Sequence, residues 1–275
     1  MKKVAIQGIK GAFHQEAAIK YFGNDILIDS NPDFKSLVHS VESGNAHYGV
    51  IAIENTISGT INQNLKLIAD KDVTICGEQK IRIIQNLGAL KGTKLNDLKE
   101  VRSHYMAINQ CRDFFVKYPG IKLTDASDTA LGAKSIADNN LHNVGAIASK
   151  HAIDQYGLQI LEESIESDKL NYTRFYIIKK SDNKIVNEKG NKITIQLVLS
   201  HDVGSLANLL NGFQALNISL TKIESSTIVG SPWKYQFFIE VELNDLSTYD
   251  DMLDWVSKQT VQSQILGRYQ SCKSL

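Results

Sequence analysis

The stretch LNYTRFYII, residues 170–178, has the alternating apolar residues of a β-strand and interrupts them with polar ones. Asn171, Thr173 and Arg174 set an amide, a hydroxyl and a guanidinium almost side by side. An arginine is costly to bury unless it is paired. The pattern therefore fits either a surface strand or the wall of a binding cleft. In a cleft the three side chains have clear uses. A guanidinium matches a carboxylate bidentately, a threonine hydroxyl donates to a departing oxygen, and an asparagine orients either group.

Upstream of this stretch, short strand-like runs alternate with helical patterns. VAIQG (4–8) precedes a helix near 14–22, YGVIAIE (48–54) one near 60–70, and EVRSH (100–104) one through QCRDFFVKY. KLTDA (122–126) precedes a helix in DTALGAKSIADNN, and VGAIAS (144–149) precedes one through Gln155. This alternation predicts an α/β domain with mostly parallel sheets, and its length favours two lobes. Ligands of such sheets bind beyond the carboxyl ends of the strands. Downstream, KKSDNKIVNEKGNK (179–192) reads as a linker, with weak strand character around Ile185 and Val186. After it come a strand in KITIQLVLS, a helix over 204–216, strands in SLTKIESSTI and WKYQFFIEVEL, a helix over 249–257 and a final strand in QILGRYQ. In that first helix Leu206, Leu209, Leu210 and Phe213 share one face. The βαββαβ order is the ferredoxin-like arrangement.

Composition narrows the function classes. The 275 residues are 43% hydrophobic and 22% charged, an ordinary globular balance. Thirty basic residues offset thirty acidic ones, so no nucleic-acid footprint is expected. No apolar run approaches the roughly 18 residues of a membrane-spanning helix, and the N-terminus lacks a signal-peptide pattern. Cys76, Cys111 and Cys272 are few and far apart, which fits a reducing cytoplasm rather than a disulfide framework. No Cys or His cluster has metal-ligand spacing and no nucleotide-binding loop is present, so a nucleotide cofactor is not suggested. GIKGAF (8–13) reads as a tight strand-to-helix turn.

Three strand-to-helix junctions share a composition: IENTISGTIN (53–62), RSHYMAINQC (102–111) and ASDTALGA (126–133). Each is rich in residues that cap helices. Together, at the carboxyl ends of strands, they also suit a small anion with several oxygens, because helix N-termini present unpaired N–H groups.

Taken in order, these segments resemble prephenate dehydratases over nearly the whole chain. GIKGAFHQEAA resembles the family's Gly-rich opening, and YGVIAIENTISGT its P-I-E-N segment, with Ala52 in place of Pro. VRSHYMAINQC resembles S-H-P-x-A-x-x-Q-C with Tyr105 for Pro, SDTALGA resembles the D-T-A segment, and NYTRF is the Thr-Arg-Phe signature. The C-terminal part resembles an ACT regulatory domain through HDVGSLANLL and LTKIESSTIVG, with Ser226 and Thr227 where Arg and Pro are usual and Ser219 for Asn.

The resemblance implies a two-lobed, periplasmic-binding-protein-like catalytic domain over 1–180, with lobes of roughly 1–78 plus 158–180 and 79–157. A linker (181–191) and an ACT domain (192–275) follow. It implies conversion of prephenate to phenylpyruvate, water and carbon dioxide, toward phenylalanine, with no metal or organic cofactor. L-phenylalanine is the expected effector, contacting Gly204, Ser205, Leu206, Glu224 and Ser225, and the expected assembly is a homodimer or homotetramer.

Within the site, Thr173 is expected to face the leaving hydroxyl as a preorganised donor. Glu54 is the rival acid. Asn55, Ser103 and Gln110 are the expected orienting donors. Arg174 and backbone N–H groups near Ser103 and Thr129 anchor a carboxylate, and Phe175, Asn171, Ala130, Gly59 and Thr60 complete the substrate-binding set. His104 is left without a role, and Cys111 reads as core. The alternatives are an arogenate dehydratase of the same family and a non-catalytic amino-acid sensor.

Overall fold

The computed structural model describes residues 1–181, 189–228, 230–231 and 233–272. The strand character expected at Ile185 and Val186 lies outside the described residues.

The chain opens with β1 (Lys2–Gln7), α1 (Phe13–Phe22), β2 (Ile26–Asn31), α2 (Phe34–Glu42), β3 (Tyr48–Asn55), β4 (Gly59–Thr60), α3 (Asn62–Ala69) and β5 (Val73–Arg82). Next come β6 (Asn86–Ala89), β7 (Glu100–Ser103), α4 (Tyr105–Gln110), α5 (Arg112–Phe115), β8 (Lys122–Asp125), α6 (Thr129–Asp138), β9 (Val144–Ala148), α7 (Lys150–Gln155) and β10 (Gln159–Glu162). The stretch quoted first forms β11 (Tyr172–Lys180). The remainder is β12 (Lys192–Val198), α8 (Ser205–Ala215), β13 (Ile218–Thr227), β14 (Tyr235–Leu243), α9 (Tyr249–Gln259) and β15 (Gln262–Tyr269).

These strands build three sheets. The first is ordered β2-β1-β3-β11-β5 with β4 on β3, the second β10-β6-β9-β7-β8, and the third β13-β14-β12-β15. The second sheet is mixed rather than mostly parallel. β7 pairs in parallel with β8 and β9, whereas β6 runs antiparallel to β9 and β10. The reversal follows from how the chain enters and leaves this sheet. It arrives from β5 through residues 83–85 and departs from β10 through 163–171. The two connections lie alongside each other, with Ile165 N donating to the Gln85 carbonyl (2.7 Å) and Ile83 N to that of Asn171 (2.8 Å).

The residues fall into two compact units, one of 1–37, 50–59 and 80–175, the other of 38–49, 60–79 and 176–275. In the first unit, Leu87, Val101, Ile147, Cys111 and Phe115 form one buried cluster. A second cluster is built from small residues: Ala12, Ala130, Ala133, Ala146, Ala148 and Ala152. Small side chains let the backbone approach closely. Gly11, at φ +94°, lies so near α7 that an added Cβ would stand 2.9 Å from the Cα of Ala152. Both the positive φ and this approach require glycine. On α1, His14 meets Phe175 edge-on at 5.0 Å and Phe34 at 5.7 Å between ring centroids. Among the described residues its Nε2 is buried without a partner.

In the second unit, α8 and α9 cover one face of the third sheet, enclosing Ile193, Ile195, Leu209, Phe213, Ile239, Val241, Met252 and Val256. As the helical periodicity predicts, Leu209 and Phe213 are buried and Leu206 and Leu210 pack at the margin. The sheet also meets β5 through polar contacts. Lys192 Nζ sits between Glu78 (3.0 Å) and Glu240 (2.9 Å), all three side chains nearly inaccessible. Tyr176 donates to Glu240, and Thr74 Oγ1 donates to the Leu266 carbonyl at 3.0 Å. Gly267 is close enough to β5 that a Cβ there would fall 2.2 Å from the Ile75 carbonyl oxygen.

Two outcomes follow. Lys192→Met would leave Glu78 and Glu240 buried without their cation, and we expect a loss of about 3–5 kcal/mol in a denaturant titration, the scale for breaking a buried pair. Burial pulls the His14 imidazole from its usual 6.5 down to about 4. The unfolded chain thus takes up a proton before the folded one does, so this stability is present above pH 6.5 and is lost as the pH falls toward 4. His14→Gln should flatten the loss seen in thermal unfolding across that window, by up to about 3 kcal/mol.

Candidate active site

The first element of the site is a chain of side-chain amides ending on a hydroxyl. β3 ends in Asn55 and β11 begins beside it, so their polar side chains meet. Asn55 Nδ2 donates to Thr173 Oγ1 (2.9 Å), to Asn171 Oδ1 (2.8 Å) and to the Tyr172 carbonyl (3.1 Å). Its Oδ1 accepts from the backbone N–H groups of Ile57 and Ser58, both at 3.0 Å. Asn171 passes the chain on, its Nδ2 donating to Gln110 Oε1 at 2.9 Å. Gln85 Nε2 reaches the same oxygen at 3.3 Å. Asn171 is completely buried at the segment that joins the two sheets.

The polarity of this chain decides what its ends can do. Asn55 and Asn171 use both their donors and their acceptors within it. Gln110 uses only its oxygen; among the described residues its Nε2 has no acceptor. Thr173 Oγ1 accepts from Asn55, and among the described residues nothing takes its proton. Two donors, a hydroxyl and an amide, are thereby left available to a ligand.

Glu54 and Arg174 form the second element, with Arg174 Nε donating to Glu54 Oε1 at 2.7 Å. Arg174 is buried while Glu54 is about one-third exposed. The cost of burying the guanidinium is met by this carboxylate.

The third element gathers around α6. Asp128 caps that helix, Oδ1 accepting from Ala130 N (2.7 Å) and Leu131 N (3.2 Å). Its Oδ2 lies against Gly8, where a Cβ would approach it to 2.7 Å, so the GIKGAF turn packs directly on the cap. Burial pushes the Asp128 carboxyl up, and the two backbone N–H groups and nearby His104 pull it back down. Ser149 Oγ and Tyr156 Oη hold the same turn through the carbonyls of Gly11 (3.1 Å) and Lys10 (2.6 Å). His104 caps α4, its Nδ1 accepting from Met106 N at 3.4 Å.

The structure thus brings Asn55, Gln110, Asn171 and Thr173 into one network and pairs Glu54 with Arg174. Phe175 turns into the core against His14. Other expected residues are engaged elsewhere. The Ser103 hydroxyl is fully buried and donates to the Ile147 carbonyl at 2.6 Å. The N–H of Ala130 belongs to Asp128, while Thr129 makes no side-chain hydrogen bond among the described residues. Gly59 and Thr60 form β4, and the Thr60 hydroxyl donates to Glu224 and accepts from Lys222 Nζ (2.9 Å). Gly204, in the left-handed region, caps α8; Ser205 Oγ bonds the Ser200 carbonyl at 2.9 Å, and Leu206 packs on the core. Ser225 is exposed on β13. No hydrogen bond among the described residues joins Gly204–Leu206 to Glu224 or Ser225. Asp128 and Gln85 were missed by the sequence reading, although an Asp just before a helical pattern is an N-cap signal. Cys111 lies in the core with its thiol pushed up by burial, as a packing residue should.

Comparison with known proteins bears on the family and the fold. The prephenate dehydratase family model matches residues 4–183. The bifunctional chorismate mutase/prephenate dehydratase of Buchnera aphidicola is 32% identical over 270 residues, covering 97% of this chain and 70% of the relative. That of Pseudomonas aeruginosa is 31% identical over 269 residues, covering 97% and 73%. Among solved structures, GqqA, described as a novel type of quorum quenching acylase, superposes with a TM-score of 0.88 at 25% identity over 98% of both chains. The prephenate dehydratase of Arthrobacter aurescens in complex with L-Phe gives 0.87 at 25% identity, over 98% of this chain and 89% of that one. That of Staphylococcus aureus gives 0.83 at 25%, over 98% and 100%. By sequence along most of its length and by fold, this chain belongs to the prephenate dehydratase family.

Proposed function

We propose that the protein catalyses the decarboxylating dehydration of prephenate to phenylpyruvate. One observation carries the reading to the level of residues: the Thr173 hydroxyl accepts from Asn55 and keeps its own proton for a ligand. In the reaction the bond to the ring carboxylate breaks, its electron pair enters the ring, and carbon dioxide leaves. The ring carbon–oxygen bond breaks in turn, and the departing hydroxyl takes a proton and leaves as water. Aromatisation supplies the driving force. The protein must bind a dianion, offer a donor where negative charge develops on the departing oxygen, and leave the reacting carboxylate unclamped.

The network fits these needs. Asn55 orients Thr173, and Thr173 donates to the departing oxygen. Gln110 Nε2 supplies a second donor, held by Asn171 and Gln85 through its oxygen. Arg174, braced by Glu54, is the cation for the pyruvyl carboxylate, with Thr129 at the start of α6 beside Asp128.

The likeness to an acylase raises a second reading, hydrolysis of an acyl amide. That chemistry needs a nucleophile bonded to a base. Thr173 Oγ1 instead faces an amide donor, and Ser103 Oγ a carbonyl. The dehydratase reading is therefore the stronger. Arogenate, which replaces the carbonyl with an ammonium, calls for an added acceptor; the ends of the network present donors.

We infer further that 1–180 is the catalytic domain, in two lobes of a periplasmic-binding-protein-like fold, and that 192–275 is an ACT domain. Its βαββαβ order supports this. L-phenylalanine is the proposed effector and a homodimer or homotetramer the proposed assembly. A cytoplasmic site of action is part of the proposal, in keeping with three cysteines that are few and widely spaced; no helix of the described residues is long and apolar enough to cross a membrane.

Purified protein incubated with prephenate should yield phenylpyruvate, with arogenate and an N-acyl amide run in parallel. Product from the amide alone would replace this reading. Thr173→Ala should lower kcat by at least ~100-fold, the scale of one preorganised donor, whereas Thr173→Ser should retain most of it. Isothermal calorimetry with L-phenylalanine should show saturable binding, and a flat titration would remove the effector.

A further inference from the structure

The hairpin that ends in the active site is held at its far end by the C-terminal module. β3 delivers Asn55, the next residues turn, and β4 returns along β3. The turn is tied to Asn55 through the N–H groups of Ile57 and Ser58. Gly59, at φ +80°, then sends the chain back. Thr60 follows, and its hydroxyl is engaged on both sides by β13: it donates to Glu224 Oε1 and accepts from Lys222 Nζ at 2.9 Å. Lys222 Nζ also stands 3.5 Å from Glu224, and its side chain is almost fully buried. A further strap lies six residues on, where Lys66 Nζ donates to the Thr227 carbonyl at 3.2 Å.

We propose that Lys222 and Glu224 are positioning residues for the dehydration: by fixing Thr60 they set the 55–60 turn and hence the Asn55 amide that orients Thr173. The inference rests on the dehydratase reading and adds residues on β13 to the reaction. Its chemistry is that of a partly buried ion pair holding a neutral hydroxyl. Thr60 is the weakest member to lose in folding terms, because without its hydroxyl Lys222 and Glu224 still pair with each other. The effect on catalysis is larger than that on stability, since small misplacements of a positioned group cost rate steeply.

Thr60→Val keeps the shape and removes the hydroxyl. We expect kcat to fall by roughly tenfold with little change in KM, the signature of an interaction made for the transition state. Thr60→Ser should restore the wild-type rate. Lys222→Met should give a similar fall, and the Thr60→Val/Lys222→Met double variant should be no worse than either alone, because one interaction is being removed twice. A readout independent of turnover is amide hydrogen exchange at Ile57 and Ser58, expected to speed up by about an order of magnitude in Thr60→Val as these N–H groups lose their fixed acceptor. Unchanged exchange, additive losses, or a loss confined to KM would each overturn the proposal. If wild-type protein makes no phenylpyruvate, the dehydratase reading fails, while the exchange measurement still judges the hold on the turn.

Discussion

The structure turns on the double crossing between its first two sheets. Two connections pass there, and each must satisfy its backbone without a strand partner. They do so against each other, through Ile83 with Asn171 and Ile165 with Gln85. Glu166 reinforces the crossing by accepting from Gln85 N at 2.9 Å. An asparagine buried here needs partners for every polar atom. Asn55 and Gln110 supply them. The network that donates to the Thr173 hydroxyl is thus also the solution to a packing problem at the crossing.

This dual role shaped what the sequence could reveal. Strands β1, β3 and β9 each carry an unbroken run of buried apolar residues at their centre, over 4–6, 50–53 and 146–148, and such runs are easily recognised. β5 escaped notice because its inward positions include Glu78 and Gln79. Glu78 is reasonable in a strand only once Lys192, more than a hundred positions away, is known to meet it. β2 is half-exposed, and its Asp29-Ser30-Asn31 ending reads as a loop.

Within the site, residue types and motif order pointed to Asn55, Gln110, Asn171 and Thr173, because amides and hydroxyls at strand ends are informative. Direction was not legible. Whether a hydroxyl faces a ligand or a carbonyl depends on a rotamer, and so Ser103 and Thr60 looked as available as Thr173. The pairing of Arg174 with Glu54 was open for the same reason: both had a functional and a structural use until their separation fixed one partner.

The contact of Gly267 and Lys192 with β5 bears on how such a chain is inherited. A polypeptide joined by a flexible tether lets its halves be exchanged between genes, since each half keeps its own surface. Here residues 60–79 belong to the same compact unit as 176–275. A recombination point in the polar 181–191 segment would separate Glu78 from Lys192 and present Gly267 with a foreign strand. The C-terminal module and β5 are therefore expected to be transmitted, and to change, as one heritable piece.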